Sequence, residues 1–202
     1  MKKNLFIWQI VGFVFTCISG TLLHFLYDWT NGNVIAAVIS AVNESTWEHM
    51  KLMFYPMAVF SIIQYKFMGS DYPNFWSVKL AGLFLSLALI PVLYYTYIGI
   101  FGVNADWFNI SIFFICASVA YFTEYKLFKN EKGFNLNTKT ALLILASISL
   151  LFTANIFTAP NSLVSGPAFK NLRHKLKVYF NTYGTVVTTH YFVENEAVFN
   201  LF

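Results

Sequence analysis

The sequence has 202 residues, of which 57% are hydrophobic and 20% aromatic, and its mean hydropathy is +0.58. Because soluble domains carry roughly 45–50% apolar residues, this composition excludes an ordinary soluble protein and is typical of one that lies in the lipid bilayer. The formal net charge is +4, but the lysines are scattered among hydrophobic runs and do not form one basic face, so we predict no nucleic-acid partner.

The fold class follows from the long apolar windows. A hydrocarbon core of about 30 Å needs helices of about 20 mostly apolar residues, and the chain offers five such windows: 5–27, 50–68, 78–100, 107–128 and 139–160. We predict an all-α fold, a polytopic transmembrane helical bundle of about five spans over residues 1–160. We expect residues 161–202 to form an extramembrane tail, in which β-branched and aromatic residues around Tyr183-Gly184 predict a β-hairpin.

The lysine distribution predicts the orientation of the bundle. Short cytoplasmic loops carry the excess of Lys and Arg, and the opposite connecting loops hold only Lys51. The lysines on the side of the N-terminus are Lys2, Lys3, Lys66, Lys79, Lys126, Lys129, Lys132 and Lys139. We therefore predict a multi-pass protein of the cytoplasmic (plasma) membrane with a cytoplasmic N-terminus.

The first window ends in a regularly spaced set of small and polar residues. Gly12, Thr16, Gly20, His24 and Asp28 repeat at four-residue intervals, which places neighbouring members on one face of a helix. Small residues at this spacing let another helix approach closely. We expect this face to pack on protein, with His24 directed into the bundle, and homo-oligomerisation to use Gly12, Thr16 and Gly20.

A short apolar segment, "NVIAAVISAV" at residues 33–42, lies between the first two windows. As a helix it would reach only about 15 Å, half the hydrocarbon thickness. It cannot cross the bilayer alone. We predict a re-entrant or interfacial helix that presents residues 43–51 at the extracytoplasmic rim.

The stretch "NESTWEHMK" at residues 43–51 is unusually polar for a chain in which 11% of residues are charged. Ser45 at an N-cap with Glu48 three positions later predicts a capping box, in which each side chain serves one backbone N–H. Capping leaves Glu44 and His49 unexplained. A purely structural interpretation, in which a helix cap accompanies an ion pair between His24 and Asp28, stays open.

The alternative interpretation is a functional site at this end of the bundle, because ionisable residues that converge in a membrane protein usually have a function. Two histidines and several carboxylates can supply the three ligands and the open position of a catalytic zinc site. We predict His24, Asp28 and His49 as ligands of a divalent metal such as zinc, and Glu44 and Glu48 as catalytic residues. Asp106, in the next loop on this side, is a further candidate.

Two classes of function remain open at this point. One is a metal-assisted hydrolase that acts on a lipid or amide at the membrane. The other is a non-enzymatic module for ion or proton transport, for sensing, or for membrane-complex assembly. None of the spacing-specific catalytic motifs, such as H-E-x-x-H or G-x-S-x-G, is present. Glu124, followed by Lys126 and Lys129, is interpreted as part of an interfacial group whose charged ends reach the membrane surface.

The segment from His24 to Lys51, with its N-E-S-T-W-E-H-x-K motif at residues 43–51, resembles a family of small bacterial integral membrane proteins of unknown function. The resemblance implies a multi-span cytoplasmic-membrane protein and supports the interpretation of the polar residues as its functional centre. It implies no reaction. Such proteins end soon after the last span, so the tail departs from the pattern. A more distant likeness to membrane zinc hydrolases of the alkaline ceramidase type is an analogy, since the later paired histidines of such a site are missing.

Overall fold

The computed structural model describes residues 4–102 and 105–158, without the side chains of residues 106 and 155–158. All regular structure in this part of the chain is helical. A 3-10 turn, Gly69–Asp71, follows the third helix. The α-helices are α1 (Leu5–Trp29), α2 (Val34–Ile39), α3 (Thr46–Met68), α4 (Phe75–Phe101), α5 (Asp106–Lys129) and α6 (Thr138–Thr158).

The all-helical prediction is confirmed for the described residues, and each of the five apolar windows coincides with one long helix. In the part of the chain that the structure describes, three helices are long and apolar enough to cross a membrane: α1, α4 and the Trp107–Lys129 part of α5. The count of about five spans therefore stays a prediction. Residues 161–202, including the predicted β-hairpin, lie outside the described residues.

Four of the long helices form a closed ring. Helix α1 packs on α3 and α5, and α4 completes the ring by packing on α3 and α5 from the other side. Helix α6 lies outside the ring against α4 and α2. The core buries large apolar side chains such as Phe54, Phe60, Phe75 and Trp76, while many apolar side chains also face outward, as a lipid-facing surface requires.

The stripe of small residues on α1 packs inside this ring. Gly12 lies against the rings of Phe60 on α3 and Tyr121 on α5, and the Thr16 hydroxyl lies 2.8 Å from the Tyr121 hydroxyl. Gly12, Thr16 and Gly20 are all buried within the single chain. The expectation that this face packs on protein is confirmed, and because these contacts lie within one chain, the predicted homo-oligomer would need another surface and stays a prediction.

Gly20 marks the register of α1 against its two neighbours. A Cβ atom there would lie 2.5 Å from the ring of Phe113 on α5 and 2.9 Å from the backbone carbonyl oxygen of Leu52 on α3. Gly12, eight residues earlier on α1, meets residues that come eight positions later on both neighbours. Helix α1 is therefore antiparallel to both α3 and α5.

Gly20→Ala is expected to destabilise the protein by about 1–3 kcal/mol, the usual cost of overpacking a dense interior. A matched control is Gly99→Ala on α4, because nothing lies within 4 Å of a Cβ at that glycine. This control should be neutral or stabilise by up to about 1 kcal/mol, since alanine favours a helix interior over glycine. Chemical unfolding of both variants in detergent micelles checks the difference, and equal stabilities would contradict the packing described here.

Candidate functional site

Two histidines and a glutamate meet where α1 ends and α3 begins. His24 Nε2 lies 3.7 Å from Glu44 Oε1, and His49 Nε2 lies 3.4 Å from Glu44 Oε2. One nitrogen or oxygen ligand atom from each of the three residues falls within 4.8 Å of the others. His24 lies beside His49, in agreement with the prediction that it points into the bundle. We call His24, Glu44 and His49 the histidine–glutamate cluster.

The orientation of His49 follows from the local backbone. Its Nδ1 lies 2.9 Å from the carbonyl oxygen of Ser45, which can only accept, so Nδ1 carries a hydrogen and donates it. In the neutral ring Nε2 is then left with its lone pair directed at Glu44. A backbone bond of this kind is how metal-binding histidines are usually oriented.

Glu44 is held beside the histidines by a buried ion pair one turn into α3. Lys51 Nζ lies 2.6 Å from Glu48 Oε2 and donates to the Ala37 carbonyl oxygen of α2 at 2.9 Å, while Glu48 Oε2 accepts from the backbone N–H of Val42 at 2.9 Å. Both charged side chains are fully or nearly buried. These bonds fasten α2 and the segment after it to α3, and this fixes where Glu44 stands.

The capping-box prediction is half confirmed. The Ser45 hydroxyl accepts from the Glu48 backbone N–H at 3.3 Å, as an N-cap does. The predicted bond from the Ser45 N–H to the Glu48 carboxylate does not form. Asn43 Oδ1 accepts from the Ser45 N–H, while the Glu48 carboxylate contacts Lys51 and the Val42 N–H. Attraction to a buried ammonium outweighs one more bond to an accessible backbone group.

The structure therefore separates the predicted site residues. His24, Glu44 and His49 come together. Glu48 lies in the buried pair with Lys51 and does not line the cavity described below. Asp28 is exposed one turn beyond His24 and does not join the cluster, and Asp106 begins α5 with a side chain outside the described part of the chain.

The histidine–glutamate cluster forms one wall of a cavity of about 500 Å³. This volume lies within the range of small-molecule sites, roughly 300–1,000 Å³. The Glu44 side chain is 80% exposed, so the cluster is open to solvent. The other lining residues come from the start of α3, the second half of α4 and the start of α5, and they are Thr46, Ile90, Tyr94, Asn109, Ile110, Ile112 and Phe113.

Contact within the cluster shifts the pKa values of Glu44 and His49 in opposite directions. The hydrogen bond with His49 lowers the pKa of Glu44, helped by the charges of both histidines and opposed by partial burial. Burial lowers the pKa of His49, but its bonds to Glu44 and the Ser45 carbonyl, with the charges of Glu44 and Glu48, outweigh burial and raise it above its usual value. In the metal-free protein the two residues thus favour the carboxylate–imidazolium form.

The contact between Glu44 and His49 should stabilise the folded protein most between pH 4.5 and pH 6.5, the ordinary pKa values of the two groups. The raised pKa of His49 gives a contribution to folding stability that is complete at pH values below the ordinary pKa and fades as the pH rises through the pKa of the folded state. The lowered pKa of Glu44 gives one that is complete above its ordinary value and is lost as the pH falls through the folded value.

A ¹H–¹³C NMR titration of the His49 ring checks this directly. We expect a pKa above 6.5 in the wild type and a lower one in Glu44→Gln, which removes the carboxylate but keeps the shape of the side chain. A His49 titration that is unchanged by this substitution would contradict the contact.

A second ion pair lies at the opposite end of the bundle. Lys79 Nζ on α4 is 2.5 Å from Glu124 Oε2 on α5, and both residues are buried. The interpretation of Glu124 as part of an interfacial group with Lys126 and Lys129 is therefore wrong, and Lys79, counted from the sequence among the lysines on the side of the N-terminus, is buried inside the bundle. Both residues lie near the end of a helix in a chain with few charged residues, and this position is typical of side chains at the membrane surface. In the structure, Gly82 leaves a space beside α4 that the Glu124 carboxylate fills.

Comparison with known proteins adds a family and no activity. Neither the curated proteins nor the solved structures contain a significant match to this chain. A family profile matches residues 1–171, which include all the helices described above and the histidine–glutamate cluster. The chain belongs to this family, which is described as a family of unknown function (DUF6512).

Proposed function

We propose that this protein is a membrane-embedded metal-dependent hydrolase whose metal is held by the histidine–glutamate cluster, and that it cleaves an ester or amide bond of an amphiphilic substrate. The observation that carries the proposal is the convergence of His24, Glu44 and His49 on one wall of a solvent-open cavity.

The donor set suits zinc. Two imidazole nitrogens and one carboxylate oxygen form a ligand set used by catalytic zinc sites, which keep a fourth position open. Zinc–ligand distances near 2.0–2.1 Å at a tetrahedral angle place ligand atoms about 3.3 Å apart. His24 Nε2 lies 3.7 Å from Glu44 Oε1, His49 Nε2 lies 3.4 Å from Glu44 Oε2, and one ligand atom from each residue falls within 4.8 Å of the others, so the three side chains must draw closer for a single oxygen to share a tetrahedral site. Small side-chain rotations would complete the geometry.

The reaction follows from this placement. A metal bound there would lower the pKa of a water molecule and polarise a carbonyl group. The two oxygens of Glu44 face different histidines, so one can serve as a ligand while the other accepts the proton of the attacking water. This keeps Glu44 as a catalytic residue and His24 and His49 as ligands, whereas the buried position of Glu48 favours a supporting role for it.

The cavity walls favour an amphiphile as the substrate. Apolar side chains of α4 and α5, among them Ile90, Ile112 and Phe113, face the cavity together with the polar groups of Tyr94 and Asn109. An acyl chain would lie against the apolar wall while its carbonyl group reaches the cluster. With the orientation that the lysines predict, the site opens at the extracytoplasmic face, where lipid substrates of the outer leaflet are accessible.

The test is hydrolysis by protein reconstituted in nanodiscs, loaded with zinc or treated with a chelator, on fluorogenic acyl esters and acyl amides of graded chain length. We expect zinc-dependent turnover that rises with chain length and falls by at least about 100-fold in Glu44→Gln, because this substitution removes a metal ligand as well as a general base, and general acid–base groups alone contribute roughly 10²–10⁴. Asp28→Asn is the matched control and should retain turnover. Zinc-loaded protein that hydrolyses none of these substrates would overturn the proposal.

A second candidate function is a non-enzymatic ion- or proton-responsive module. It is favoured by the opposite pKa shifts of Glu44 and His49, since histidines near carboxylates titrate in the physiological range. This function predicts pH-dependent ion flux in liposomes without turnover. Flux that persists in Glu44→Gln would exclude the cluster as its site.

A further inference from the structure

A second set of polar residues lies inside the bundle, far from the histidine–glutamate cluster. Gln9 on α1, Gln64 on α3, Lys79 on α4 and Glu124 on α5 have relative exposures of 4%, 0%, 2% and 0%. Each of the four helices of the ring therefore contributes one side chain to this set. The ion pair between Lys79 and Glu124 joins two of them directly.

Helix register places the other two at the same level. Gln9 lies three residues before Gly12, about one turn towards the N-terminus of α1. Because α1 is antiparallel to α3 and α5, the equivalent step leads from Phe60 to Gln64 and from Tyr121 to Glu124. Lys79 of the fourth helix, α4, lies at a similar level, because its Nζ is 5.8 Å from the Phe60 ring centre and 4.9 Å from that of Tyr121.

Several atoms of this layer lack partners. Among the residues that the structure describes, both side-chain heteroatoms of Gln9, Oε1 of Gln64 and Oε1 of Glu124 are buried with no hydrogen bond. Buried polar groups are almost always satisfied in native proteins, and hydrocarbon offers them no alternative. Unsatisfied atoms from three helices at one level therefore require polar partners that the described part of the protein does not itself provide.

We infer that this layer, formed by Gln9, Gln64, Lys79 and Glu124, is a hydrated polar site that binds a small cluster of water molecules. The unsatisfied atoms are three oxygens, which need a donor, and one amide nitrogen, which needs an acceptor. Water provides both. A bare cation would leave the Gln9 amide nitrogen unsatisfied and would be repelled by Lys79.

Hydration changes what this end of the bundle can do. The free oxygen of Glu124 becomes a carboxylate oxygen in contact with water inside the bundle, and the hydroxyl pair of Thr16 and Tyr121 extends the polar surface by about one turn. Water-linked carboxylates inside membrane proteins are used to bind and pass protons. The site is thus separate from the histidine–glutamate cluster in position and in chemistry.

Hydroxyl-radical footprinting with isotopically labelled water tests the inference in the full-length protein, since radicals generated from bound water modify the side chains beside it. Phe60 and Phe54 are matched probes, because both are phenylalanines of α3 with exposures of 3% and 1%, and only Phe60 borders the polar layer. We expect Phe60 and Tyr121 to be modified several-fold faster than Phe54. The excess should fall in the variants Gln9→Leu and Gln64→Leu.

Equal and slow modification of Phe60, Tyr121 and Phe54 in the wild type would overturn the inference, because it would show a dry layer. This comparison needs no variant, so it holds even if the leucine variants fail to fold. A wild-type excess at Phe60 that persists in well-folded leucine variants would also overturn it, since water held by other groups would then be responsible.

Discussion

His49→Ala is expected to reduce the zinc content of the purified protein from about one ion per chain to near zero, because a catalytic site with three protein ligands cannot lose one and hold the metal tightly. Removing even the outer partners of metal ligands typically costs 10–100-fold in affinity. We therefore expect the zinc dissociation constant to rise by more than about 100-fold. Elemental analysis and competition with a zinc indicator measure both quantities.

Three further variants make this result specific. His24→Ala and Glu44→Gln should lose zinc as His49→Ala does, because all three residues supply atoms to the cluster. Asp28→Asn should retain it, although the sequence places Asp28 one turn from His24 on the same face. Zinc that is lost from Asp28→Asn and retained by Glu44→Gln would contradict the assignment of the ligands.

The second large effect concerns the ion pair between Lys79 and Glu124. Lys79→Met and Glu124→Gln should each destabilise the protein by about 3–5 kcal/mol, because either one leaves a buried charge without its partner. The double variant should regain most of this loss, since replacing both charges removes the desolvation penalty together with the attraction. Reversible unfolding in mixed micelles measures the full cycle.

A strong positive coupling between these two substitutions is the expected signature of the pair. Losses that simply add in the double variant would contradict it, because independent sites behave additively. Lys126→Met is a suitable control, since Lys126 lies near Glu124 in sequence and contacts the Phe122 ring instead of the buried carboxylate. It should change the stability by less than about 1 kcal/mol.

The sequence predicts the helices and part of the site because both depend on local spacing. Apolar windows of about 20 residues define the long helices whatever their neighbours are. The four-residue repeat of Gly12, Thr16 and Gly20 predicts which face of α1 is buried, and His24 continues that face. The Ser45 cap is likewise a local signal, and the structure confirms it.

The rest depends on contacts that no local pattern contains. Glu48 has Lys51 three positions later in the helix, but whether this pair is buried and withdrawn from the site depends on contacts such as that of Lys51 with the Ala37 carbonyl, 14 residues away. The ion pair between Lys79 and Glu124 joins residues 45 apart. The cavity wall needs the register of α4 against α5, which spacing within one helix cannot give.

The central claim is that His24, Glu44 and His49 together bind a metal, and zinc K-edge X-ray absorption of the zinc-loaded protein tests it most directly. We predict two imidazole ligands near 2.0 Å and one or two further oxygen ligands at similar distances in the wild type, and a zinc signal close to background in His49→Ala, which loses the metal. A spectrum that shows no imidazole scattering, or one that is identical in the wild type and His49→Ala, would contradict the claim.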